Sequence, residues 1–131
     1  MEISYLGVLV AAFSSFIIGG VWYSPLLFHK TWAKENGFKD EDLKGGNMAK
    51  IFGLSFIASL IISVNLAAFL GPGVTLSWGT AAGALAGLGW VAMAYGVTYL
   101  FERKSFKLWL INAGYHVITF TLMGSILALM S

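Results

Sequence analysis

The sequence predicts an all-α, polytopic membrane protein with four transmembrane helices and a short interfacial helix after the first. Three observations predict it. Of 131 residues, 58% are hydrophobic and only 11% are charged, whereas a soluble domain keeps about a quarter of its residues charged. No charge lies between Glu2 and Lys30, between Lys50 and Glu102, or after Lys107. All 8 Lys and Arg side chains fall in two of the segments that separate the apolar runs. A soluble globular protein, a disordered chain and a nucleic-acid binder are excluded on these grounds. Cysteine is absent, which removes disulfides, thiolate metal sites and cysteine nucleophiles together.

A bilayer core of about 30 Å needs roughly 20 apolar residues at a rise of about 1.5 Å each. The first uncharged run supplies one span, residues 3–23, and the last supplies another, residues 108–130. The middle run is too long for one helix and contains Gly71-Pro72-Gly73, the strongest breaker in the chain. Splitting there gives spans 48–70 and 77–101, so residues 1–131 form a single integral membrane domain. The runs are continuous rather than alternating, which argues against a β-barrel. The first span lacks a basic leader, and Gly19-Gly20-Val21-Trp22-Tyr23 is a poor cleavage site, so it reads as a retained helix rather than a signal peptide.

Orientation follows from the cations. Lys30, Lys34, Lys39, Lys44 and Lys50 follow the first span, and Arg103, Lys104 and Lys107 follow the third. The connection between the second and third spans has no Lys or Arg. Both basic loops therefore belong to the cytoplasmic side, and both termini to the outside of a bacterial inner membrane. Trp22, Tyr23 and Trp109 fall at the inner interface, and Tyr5 and Trp78 at the outer one. Trp90 falls near mid-membrane, where a belt cannot explain it, so it is expected to pack between helices.

The loop of residues 24–47 carries its own signals. Ser24-Pro25 suits a first helical turn, Phe28 and Trp32 share a face, and Asn36-Gly37 is a C-terminal stop. These features describe a short amphipathic helix in the headgroup region. Asp40-Glu41-Asp42 reads as a solvated acidic turn, because three consecutive carboxylates lack metal-ligand spacing.

Gly79, Gly83 and Gly87 recur at four-residue spacing, as do Ser55, Ser59, Ser63 and Ala67. Such small-residue strips let helix backbones approach closely. They serve packing within one chain or between copies, and a homo-oligomer is expected.

Apart from Lys50 at the edge of the second, no span contains Asp, Glu, Lys or Arg, which argues against a transporter built on a membrane carboxylate. His116 is the ionisable group that remains. It lies nine residues past Lys107, roughly 13 Å along the fourth helix. Asn112 and Thr119 share its face, and Tyr115 flanks it. Tyr95 and Thr98 lie in the inner half of the third helix, Ser55 and Ser59 in that of the second, and Ser14 and Ser15 nearer mid-membrane on the first. Asn112, His116, Tyr95, Tyr115, Thr119 and Ser59 are the candidate ligand or pore-lining residues, with Trp22 and Tyr23 near the mouth. The alternative is that these groups satisfy one another and fix helix register. His116 lacks a same-face second ligand, so no metal or haem is expected.

Two motifs stand out together. Gly20-Val21-Trp22-Tyr23-Ser24-Pro25-Leu26-Leu27-Phe28, followed by Trp32, closes the first helix. Asn112-Ala113-Gly114-Tyr115-His116 opens the fourth, with Met123-Gly124 beyond it. The combination resembles the bacterial membrane family called domain of unknown function seventeen-sixty-one, over essentially the whole chain. The departure is His29, where the family often has Gly. The resemblance implies a four-helix membrane protein and carries no established activity.

The expected function is a small oligomeric channel or transporter with an inner-leaflet polar site for a small molecule or ion. The alternative is a structural or accessory subunit that binds another membrane protein. An enzyme is not expected: no span offers a nucleophile-base pair or a metal-ligand set, and no cofactor is implied.

Overall fold

The computed structural model describes residues 3–44 and 46–131. It is all-α. Helix α1 runs Tyr5–Trp22, α2 His29–Asn36, α3 Asp40–Leu43, α4 Met48–Leu70 and α5 Leu76–Ala86. A π-helical turn, Gly87–Ala92, joins α5 to α6, Met93–Glu102, and α7 spans Phe106–Leu129. Among the described residues, four helical segments are long and apolar enough to cross a membrane: α1, α4, the continuous Leu76–Glu102 rod, and α7.

Each of these four opens on a side-chain cap. Ser4 Oγ accepts from the Gly7 N–H at 3.1 Å, and Asn47 Oδ1 from the Lys50 N–H at 3.1 Å. Thr75 Oγ1 accepts from Trp78 at 3.2 Å, and Ser105 Oγ from Leu108 at 3.1 Å. Each cap satisfies one amide of the first turn that has no intrahelical partner. Gly71, at φ 78°, ends α4, and Arg103, in the left-handed region at φ 59°, ends α6.

Helix α7 is the centre of the bundle. It packs against α5 and the π turn on one side and against α1 on another, and α2, α4 and α6 also touch it. The closest approach is to α5. A Cβ built on Gly79 would strike Ala128 and the Gly124 carbonyl, and one built on Gly83 would fall on the Phe120 carbonyl. At Gly87 it would meet the Val117 Cα. Gly124 returns the contact from α7, facing the Gly79 carbonyl and Gly83. The glycine strip is thus occupied by α7 of the same chain. Thr80 and Ser125 link the same pair at 2.7 Å. Ser125 Oγ already donates to the Thr121 carbonyl, so Thr80 is the donor.

The serine strip of α4 is also used inside the chain. Ser63 donates to the Val8 carbonyl at 2.9 Å, and Ser59 meets Ser15 at 3.1 Å, while Ser55 is exposed. Only Ser63 and Leu66 of α4 are buried, so most of this helix is outward-facing apolar surface. Val8, Ala11, Leu66, Met123 and Leu127 form the core between α1, α4 and α7. Ile3, Ser4, Gly71, Pro72 and Ser131 line one cleft, which places both chain ends and the α4–α5 turn together at one end of the bundle.

Helix α2 begins at His29, four residues after Pro25, because residues 24–28 form a reversal instead. The Phe28 N–H returns to the Trp22 carbonyl at 3.1 Å, and His29 to Ser24 at 3.2 Å. Gly37, at φ 74°, closes α2. The acidic triplet forms α3, where Asp42 accepts from the Lys39 N–H at 2.8 Å.

Trp90 does not pack between helices. It is 66% exposed, and its neighbour is Phe69, ring edge to face at 6.2 Å. The reason is the π turn. At roughly 100° per residue, an unbroken α-helix would carry the Gly79–Gly83 face round to Trp90 and turn Tyr95 and Tyr99 nearly opposite. The wider π turn takes in an extra residue and resets the register. Trp90 swings outward, and Ala92, Tyr95 and Tyr99 turn toward α7.

Candidate functional site, a tyrosine, asparagine and histidine cluster

The two motifs dock on each other. At the end of α1, the Trp22 indole N–H donates to the Ile111 carbonyl at 2.8 Å. The ring lies on Gly114, where an added Cβ would meet it at 3.3 Å, so the absent side chain makes its seat. Phe28 covers the indole from the loop side, with ring centres 4.7 Å apart. Tyr115 reaches back from α7, and its hydroxyl donates to the Ser15 carbonyl at 2.8 Å. It passes Gly19, where a Cβ would stand 3.2 Å from that hydroxyl.

Between these contacts lies the polar cluster. Tyr23 donates to Asn112 Oδ1 at 2.7 Å, and Asn112 Nδ2 donates to the Tyr99 hydroxyl at 2.7 Å. The asparagine therefore bridges the end of α1 to α6 through α7. One turn deeper, the Tyr95 hydroxyl lies 3.1 Å from His116 Nε2. Tyr95 stacks on the imidazole at 5.2 Å and meets Tyr99 edge-on at 5.4 Å. Tyr115 closes the other side, 5.0 Å from the imidazole and 5.4 Å from Tyr23. Trp32 of α2 packs on Tyr23 at 6.0 Å, so the short helix covers the cluster from the end that carries the basic loops.

The sequence-predicted residues divide. Asn112, His116, Tyr95 and Tyr115 come together, with Tyr23 beside them. Thr119 is buried, but its hydroxyl bonds the His116 carbonyl of its own helix at 3.1 Å. Ser59 reaches the cluster only through Ser15, whose carbonyl holds Tyr115. Ser14 turns back onto the Ala11 carbonyl at 2.6 Å, and Thr98 is exposed. Tyr99 escaped the sequence reading. Its spacing of four from Tyr95 was the available signal, since such pairs share a helix face.

A model for a protein of unknown function, DUF1761, matches residues 6–128. The chain belongs to the DUF1761 family. No curated protein and no solved structure matches it. The DUF1761 match covers both motifs and all of the polar cluster. Chemically, the cluster offers hydroxyls, a carboxamide and an imidazole, a set suited to hydrogen bonding. Among the described residues no group of three His, Asp or Glu side chains comes together to hold a metal.

Proposed function

We propose that this chain is a small oligomeric channel or transporter of the bacterial cytoplasmic membrane, with both termini outside. Its site is the Tyr95, Asn112, Tyr115 and His116 cluster in the inner leaflet. The observation that carries the reading is the imidazole held against Tyr95 beside the Tyr23–Asn112–Tyr99 bridge. Polar groups at such depth are costly unless they face protein, water or a ligand. Three of the bridged groups belong to three different elements, so a solute touching them would sense relative helix motion. His116 makes no hydrogen bond at Nδ1 among the described residues, which leaves one ring nitrogen for a ligand. With the glycine strip used inside the chain, the contact between copies is assigned to the outward face of α4. No catalytic step is assigned to the protein.

Proteoliposomes test this reading directly. Urea and glycerol entry is followed by light scattering, and proton movement by entrapped pyranine. The expected result is flux above protein-free vesicles for at least one probe. It should fall roughly tenfold, equivalent to about 1.4 kcal/mol, in Tyr95→Phe and His116→Leu. Flux equal to protein-free vesicles for every probe would overturn it.

The second reading is a structural or accessory subunit. What favours it is the saturation of Asn112, whose amide oxygen and nitrogen both have protein partners. The long exposed apolar face of α4 would then receive another membrane protein.

A further inference from the structure

Two apolar grooves run along the surface of α7 at the basic end, and Trp109 is the ridge between them. The first, about 490 Å³, has Trp22, Phe28 and Trp109 as walls and Ala92, Ala113 and Gly114 as its small-residue floor. The second, about 260 Å³, lies between α6 and the start of α7, lined by Gly96, Leu100, Phe106 and Trp109 together with Lys104 and Ser105.

The walls are held in place. Trp22 is tied to the Ile111 carbonyl, and the Trp109 indole N–H donates to the Ala92 carbonyl at 2.9 Å. Neither indole is left to seek the headgroup region for a hydrogen-bond partner, as interfacial tryptophans do. Phe106 stacks on Trp109 at 5.6 Å and stiffens the ridge.

Length and charge indicate the occupant. Lys107, Ile111, Gly114 and Ile118 follow one stripe of α7, at helical spacings of four, three and four. That stripe covers roughly 16 Å, close to half of a hydrocarbon core of about 30 Å. The groove therefore has the reach of one leaflet. At its charged end stand Arg103, Lys104 and Lys107, all exposed, with Glu102 the one acid in that stretch of sequence. The first turn of α7 adds its own partial positive charge there.

We propose that the paired grooves hold one anionic phospholipid of the leaflet at the basic end. Its acyl chains lie on either side of Trp109, and its phosphodiester sits against Lys104 and Lys107. Basic residues between spans at this depth match such headgroups. A second copy of this chain is the poorer match, because its own basic loops would meet these same lysines at the same depth. The inference does not depend on the transport reading.

The test is lipid retention by the full-length protein. Protein is extracted in mild detergent from membranes of mixed phosphatidylglycerol and phosphatidylcholine, and bound lipid is counted by native mass spectrometry. Phosphatidylglycerol should be retained over phosphatidylcholine by roughly thirtyfold, the order expected when two basic side chains meet one anionic headgroup. The Lys104→Gln/Lys107→Gln variant should lose that preference, and the Lys30→Gln/Lys34→Gln variant on α2 should keep it. Leu88 is 53% exposed on the rim of the first groove. Leu88→Trp intrudes there without touching the core and should lower retention of both lipids. Equal retention of the two lipids by the unaltered protein would overturn the proposal. So would a preference that follows the α2 lysines, or a dimer that Leu88→Trp breaks while lipid preference stays unchanged.

Discussion

The Tyr95 hydroxyl sits 3.1 Å from His116 Nε2, and the two rings stack at 5.2 Å. Stacking and hydrogen bonding are separable here. Tyr95→Phe removes the hydroxyl and keeps the stack. Its stability cost should be near the average interhelical value of about 0.6 kcal/mol. His116→Leu removes both and should cost more. If the pair lines a site, folding is largely kept in both variants while flux falls. If it is only structural, thermal stability drops with no selective loss of flux. Unfolding in lipid nanodiscs, run beside the flux assay, distinguishes the two.

Asn112 is the joint of the cluster. Asn112→Ala leaves the Tyr23 and Tyr99 hydroxyls without their partner, at a cost of about 1–3 kcal/mol. Tyr23→Phe combined with Asn112→Ala should show a coupling of about 0.6 kcal/mol in a double-mutant cycle. Strict additivity would mean that the 2.7 Å contact carries no net stabilisation.

Gly83 faces the Phe120 carbonyl with no room for a methyl group. Both Gly83→Ala and Gly83→Leu should force α5 from α7, costing at least the 1–3 kcal/mol typical of overpacking, about the same whether copies associate or not. Thermal unfolding in detergent measures this. A variant that keeps its melting temperature but loses self-association would move the strip to an interface between chains.

The proposed orientation is checked with single cysteines in a background that has none. Cysteines at Ser131 and Lys39 should label from opposite faces of intact cells with a membrane-impermeant maleimide. Labelling from the same face would overturn the span count.

Helix number and boundaries were legible because they depend on local quantities. Uncharged runs and the Gly71-Pro72-Gly73 break act within a few positions of themselves. The shared face of His116 and Asn112 was legible for the same reason, since the angle per residue suffices on an unbroken α7. Thr119 shows where that reasoning stops. It shares the face, but its hydroxyl is satisfied by its own helix at the His116 carbonyl.

The sequence by itself determined an all-α chain of four long apolar helices, the short α2 helix stopped by Gly37, and the DUF1761 resemblance carried by two motifs. The tertiary structure alone decided which faces meet. It seated the glycine strip against Gly124, docked Trp22 on Gly114 and turned the Tyr95–Tyr99 face of α6 toward α7. The π turn at Gly87–Ala92 is the physical reason for the last of these. A change from i→i+4 to i→i+5 pairing rotates everything after it, and composition and spacing carry no record of that rotation. The turn lies where close contact of α5 with α7 gives way to contacts through long aromatic side chains, a transition that exists only once both helices are in place.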